Sequence, residues 1–140
     1  MGFLDSILGK KDYEKELAGK TPFVIRLSLM PFRLAANRKD KTVLTAYVRN
    51  ISGQTVMSSI VIDLPKQLGF DETGLTHRKE FRIGQFKPDE SKNLNVEIWS
   101  NTSTNPADYN VTVTTFMHYR DYSHFDNKVT KTEVLRAVKQ

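Results

Sequence analysis

The residues best equipped for chemistry fall in one stretch, HYRDYSHFD, residues 118–126. Two histidines, two aspartates and three aromatic rings share these nine positions. Imidazole and carboxylate both donate to divalent metals, so His118, His124, Asp121 and Asp126 form a conceivable metal set. A catalytic zinc takes three fixed protein ligands, and two loosely spaced histidines fall short of that. The expectation is that no metal and no other cofactor is held here.

Nucleophilic chemistry has less support. The chain has no cysteine. It also lacks the Gly-x-Ser-x-Gly elbow that exposes a serine, a phosphate-cradling glycine loop and the metalloprotease helix motif. Composition leaves a paired-carboxylate hydrolase open, but no motif points to one. The expectation is a protein without enzymatic activity.

The same stretch reads better as a contact surface. His118, Tyr119, Tyr122, His124 and Phe125 offer large, rigid, amphipathic area, the composition protein interfaces favour. Two readings stand. Some of these rings fold down and cap the open end of the core, or they project as a binding tip; the cap is the more ordinary outcome. Rings beside Arg120 suit base stacking, but Asp121 and Asp126 oppose phosphate, so nucleic acid is disfavoured.

The elements that must position this stretch are strands. In VLTAYVRN, Leu44, Ala46 and Val48 alternate with Thr45, Tyr47 and Arg49. In NLNVEIWS, Leu94, Val96 and Ile98 alternate with polar or outward residues, and Tyr109, Val111 and Val113 do so in YNVTVTTFMHY. A period of two, apolar on one face, predicts half-buried antiparallel strands. Further strands are predicted at residues 23–34, 55–65, 79–86 and 128–138, with Pro31 breaking the first. Clusters such as NISGQT, KPDES and NTSTNPAD supply the turns. About seven strands with no long helix between them predict an all-β, immunoglobulin-like antiparallel β-sandwich, with a closed barrel as rival. Tyr109, two residues before Val111 at the start of the next-to-last strand, sits where a tyrosine corner would.

Four stretches carry a family resemblance: LTAYVRNISGQT, SSIVIDLPKQLGF, RIGQFKPDESKNLNVEIWS and ADYNVTVTTFMHY. The first places Asn50 after the alternating apolar residues. The third resembles an apolar-Gly-x-apolar-x-Pro-Gly-Glu-Ser turn, with Asp89 where glycine is usual. The fourth resembles Gly-x-Tyr-x-Val-x-Val, with Ala107 for glycine. Together, over residues 21–138, they resemble the CARDB group of immunoglobulin-like domains. The resemblance implies a non-catalytic module and supplies no catalytic residues.

The first twenty residues are different. Phe3, Leu4, Ile7 and Leu8 recur at helical steps, and Asp5 and Ser6 suit a helix start. The expected organisation is a short amphipathic helical or partly disordered arm over residues 1–20 and the sandwich over 21–140. The arm's apolar face suits a partner groove, a second copy, a membrane surface or the chain's own sandwich. Its four lysines are balanced by four acidic residues, which gives a membrane little electrostatic help.

The 140 residues carry a formal charge of +5 without a run of basic residues, which reads as a solvated surface. No stretch approaches a membrane span or a signal peptide. The expected location is the cytoplasm, with peripheral membrane contact left open. The function expected is a protein-interaction module acting through 118–125 and the Phe3, Leu4, Ile7 and Leu8 face. A membrane-surface accessory role and an adhesion or glycan-binding role are the alternatives. The partner and the oligomeric state are not legible in the sequence.

Overall fold

The computed structural model describes residues 21–139, and the expected arm with Phe3, Leu4, Ile7 and Leu8 lies outside them. Eight strands follow in chain order: β1 (Phe23–Met30), β2 (Arg33–Ala35), β3 (Asp40–Asn50), β4 (Val56–Asp63), β5 (Arg78–Phe86), β6 (Ser91–Ser100), β7 (Ala107–Tyr119) and β8 (Asp121–Val138). They form two sheets, β1-β3-β6 and β2-β8-β7-β4-β5. No helix occurs among the described residues.

Alternation fixes which side of each strand is dry. Leu44, Ala46 and Val48 of β3 are fully buried, as are Ile98, Val111 and Val113. They meet Ile60 and Ile62 of β4 and Leu135 of β8 in one core between the sheets. Burial of such side chains is worth roughly 1.5–3 kcal/mol each and drives the two sheets together. Trp99 points outward instead, with the Lys41 ammonium 5.3 Å from its ring centre.

The single strand predicted over residues 23–34 is two strands in two sheets. Pro31 has no N–H for a ladder, and the chain changes sheets there. β1 pairs antiparallel with β3, whereas β2 pairs parallel with the end of β8. Both strands are sheet edges, the setting in which proline is tolerated.

Two side chains pin the loops. Tyr109 Oη donates to the Asn105 carbonyl at 2.7 Å, so the expected tyrosine corner is present. Asn50, fully buried, donates through Nδ2 to the carbonyls of Gln54, Phe86 and Lys87 at 2.8, 2.9 and 3.1 Å. Its Oδ1 accepts from the backbone N–H and the hydroxyl of Ser52 at 2.9 and 2.6 Å. One amide thereby ties together the turn after β3 and the turn between β5 and β6. The hairpin linking β7 and β8 lies at this same end of the sandwich.

Candidate functional site

Residues 118–126 are not a loop. Pairing was expected to lapse after Tyr119 and to resume near Lys128, but β8 begins at Asp121. Arg120 alone makes the turn, in the left-handed region at φ 67°. Tyr119 then faces Asp121 while His118 faces Phe125, so Tyr122, Ser123 and His124 are unopposed and bulge from β8. Asp121 holds the bulge. Its Oδ1 accepts from the Ser123 N–H at 2.9 Å, the Ser123 hydroxyl at 2.6 Å and His124 Nδ1 at 2.8 Å. The Ser123 hydroxyl first, then His124 and the Ser123 backbone N–H, draw the Asp121 carboxyl down from 3.8 to about 2. The strands predicted to end at Tyr119 and resume near Lys128 left a loop between them; a self-satisfied turn allows the ladder to continue through it.

His118 turns inward on the outer face of the five-stranded sheet. Its ring lies 2.6 Å, Nε2 to Oγ, from Ser59 of β4. Its Nδ1 lies 3.0 Å from the His124 carbonyl. A carbonyl only accepts, so Nδ1 carries a proton and donates to it, and Nε2 is left to share a hydrogen bond with the Ser59 hydroxyl. The Phe116 ring stacks on His118 at 5.7 Å between centres, and Tyr122 meets it edge-on at 5.1 Å. Tyr122 reaches over β4 towards β5, where Arg82 lies 4.5 Å from its ring centre. A Cβ at Gly84 would be 3.9 Å from the Tyr122 hydroxyl, which is ordinary contact. The Gly84 backbone sits at φ 78°, which side chains rarely adopt.

The sequence candidates therefore separate. His118 is buried and Tyr122 half-buried, both tied to the sheet. They cap its outer face rather than the open end of the core. Tyr119 and Phe125 remain 41% and 48% exposed. Phe125 is held edge-on by Phe116 at 5.1 Å, and Tyr119 leans on His124 at 5.4 Å. His124 is exposed and engaged with Asp121.

Chemically, Ser59, His118 and the His124 carbonyl have the connectivity of a nucleophile, a base and an orienting acceptor. Ser59 is only 2% exposed, with its oxygen enclosed beneath this ring cluster. Both ring nitrogens of His118 are engaged, and Nδ1 of His124 is taken by Asp121. The two histidines do not converge on a shared ion. Among the described residues no three His, Asp or Glu side chains gather as metal ligands.

The sequence reading missed two features. Ser59 lies 59 positions from His118, and only strand pairing brings them together. A slot of about 360 Å³ opens where β5 and β6 pass at one side of the sandwich, lined by Phe81, Arg82, Ile83, Lys92, Asn93 and Leu94. The only sequence signal for it is the set of apolar residues on both strands.

Known structures resemble this one in fold. The chain is similar to AvmM, which catalyzes macrocyclization in alchivemycin A biosynthesis, at 7% identity over 85% of this chain and 90% of that one, with a TM-score of 0.52. It is also similar to PapD-like domain 7 of human CEP192, at 13% identity, 86% and 88% coverage and a TM-score of 0.43. A conjugative transposon lipoprotein from Bacteroides eggerthii matches at 10% identity, 83% and 98% coverage and a TM-score of 0.43. No family model and no curated protein matches the chain. At such identities the likeness concerns the fold alone: an all-β sandwich of two sheets.

Proposed function

We propose that this protein is a non-catalytic protein-interaction module of the CARDB-like kind, with the β7–β8 hairpin tip as its contact surface. One observation carries the reading: Tyr119 and Phe125 stay 41% and 48% exposed on a tip that is otherwise anchored. The anchors are the His118 bonds to Ser59 and to the His124 carbonyl, and the Asp121 turn. Rigid exposed aromatics bind with little loss of side-chain freedom, which is what makes such rings effective contacts. Lys128 lies 5.8 Å from the Phe125 ring centre and adds a cation beside the apolar surface. The CARDB resemblance supports a module without chemistry of its own, and the enclosed position of Ser59 agrees with it.

Capture from a lysate of the source organism tests this, with the wild-type chain beside a Tyr119→Ser/Phe125→Ser variant. Both side chains are surface groups, so the variant is expected to keep its fold by circular dichroism. The expected result is a defined partner retained by the wild type and depleted about tenfold or more by the variant, as for loss of an interface hot spot. Equal retention by both proteins would remove the tip from the interface.

A further inference from the structure

The slot between β5 and β6 is bordered by two strands that each end a sheet. The two edges differ. β5 is blunted by a bulge: Ser58 faces Gly84 and Ser59 faces Arg82, leaving Ile83 unopposed. β6 is regular and antiparallel to β3 along its whole length. Its outer edge is already used once. Trp99 N–H donates to the Gly69 carbonyl at 2.7 Å, and Gly69 N–H donates back to the Trp99 carbonyl at 3.0 Å. Along a strand, both backbone groups of every second residue point to the same side. Trp99 aims away from β3, so Glu97, Asn95 and Asn93 do too. Among the described residues no strand pairs with them.

A strand continuing the Gly69 pairing along this edge would place alternate side chains beside Leu94, over Phe81 and Ile83. The slot's volume is at the small end of ligand pockets, which suits a few aliphatic groups. Of the six lining residues two are basic, Arg82 and Lys92, and none is acidic. Lys79 lies 5.7 Å from the Phe81 ring centre and adds a third cation. Arg82 is paired with Glu80 at 2.8 Å, whereas Lys92 reaches Glu90 only at 4.0 Å.

We propose that the free edge of β6, at Asn93, Asn95 and Glu97, receives an extended apolar strand with acidic flanks from a partner protein. Backbone bonds to the edge supply general affinity, the slot selects small apolar side chains at alternate positions, and the basic rim selects the acidic flanks. This site shares Arg82 with the Tyr122 contact of the hairpin but uses neither Tyr119 nor Phe125.

The probe is an acetylated, amidated peptide, Glu-Thr-Val-Thr-Val-Thr-Val-Glu, with a counterpart carrying lysine at both ends. Amide hydrogen exchange and amide NMR shifts of the full chain are read with each. The acidic peptide is expected to slow exchange at Asn93, Asn95 and Glu97 and to bind several-fold tighter than the lysine peptide at low salt. Asn95→Ala keeps the edge N–H and binds as wild type. Asn95→Pro removes one edge donor without touching the β3 ladder and weakens binding about tenfold. The Tyr119→Ser/Phe125→Ser variant binds the peptide unchanged. The proposal is overturned if these amides do not respond at about 1 mM peptide, or if the proline and alanine variants bind alike. It is also overturned if the amides are protected before peptide is added, since the chain itself or a second copy then holds the edge. The exchange result on the wild-type chain stands even if the proline variant does not fold.

Discussion

Replacing His118 with alanine tests whether the hairpin tip is anchored as described. Three losses follow from the geometry. The bond to Ser59 goes, worth about 1 kcal/mol net. The Ser59 hydroxyl, 2% exposed, is left without that partner, at a cost of about 1–2 kcal/mol. The ring contacts with Phe116 and Tyr122 go too, at roughly 0.5–1.5 kcal/mol each. The first two overlap, so the expected destabilisation is about 3 kcal/mol. Ser59→Ala alone removes the bond but leaves Nε2 on a ring close to the surface, for about 1 kcal/mol. In the double variant no orphaned hydroxyl remains. The two changes together are expected to cost about 1 kcal/mol less than their sum. Urea denaturation followed by far-ultraviolet circular dichroism reads all four proteins of the cycle. A His118→Ala protein within 1 kcal/mol of wild type, or strictly additive costs, would refute the anchoring role.

Other consequences follow from single sites. Asn50→Ala strips five hydrogen bonds from one buried amide, including that to the Phe86 carbonyl. It is expected to cost about 3 kcal/mol, or roughly 12 °C in thermal midpoint by scanning calorimetry. Thr115 Oγ1 is buried with no hydrogen-bond partner among the described residues. Thr115→Val, nearly equal in volume, is therefore expected to stabilise by about 1 kcal/mol in chemical denaturation. The Asp121 carboxyl, drawn down from 3.8 to about 2 in the folded chain, stabilises the fold above its ordinary value. That contribution is lost as pH falls through about 2. An NMR titration should find the depressed value in the wild type, and Ser123→Ala should return it towards the ordinary one.

Strand periodicity was legible because it reports only which side of a strand is dry. Leu44, Ala46, Val48, Val111 and Val113 follow from local sequence and are buried. Tyr109 was legible for the same reason, since its acceptor lies only four residues upstream. Asp89 was marked as standing where a glycine is usual, and its φ of 61° shows why that position suits glycine. Non-local features were not legible. Whether residues 23–34 lie in one sheet or two depends on partners far along the chain, and β2 finds its own in the last residues of β8. The run after Arg120 has no alternating pattern that marks a strand, because Asp121, Ser123 and His124 bond to one another in a bulge. The inward turn of His118 depends on Ser59, which no local pattern connects to it.

The most direct test of the interaction reading is a photo-cross-linking residue placed at position 125 of the full chain in cells of the source organism. The control places it at position 26, where Arg26 is exposed on the other sheet. A discrete adduct with one protein from position 125, absent from position 26, is the predicted result. No adduct at 125, or the same adducts from both positions, would contradict the assignment of the hairpin tip as the contact surface.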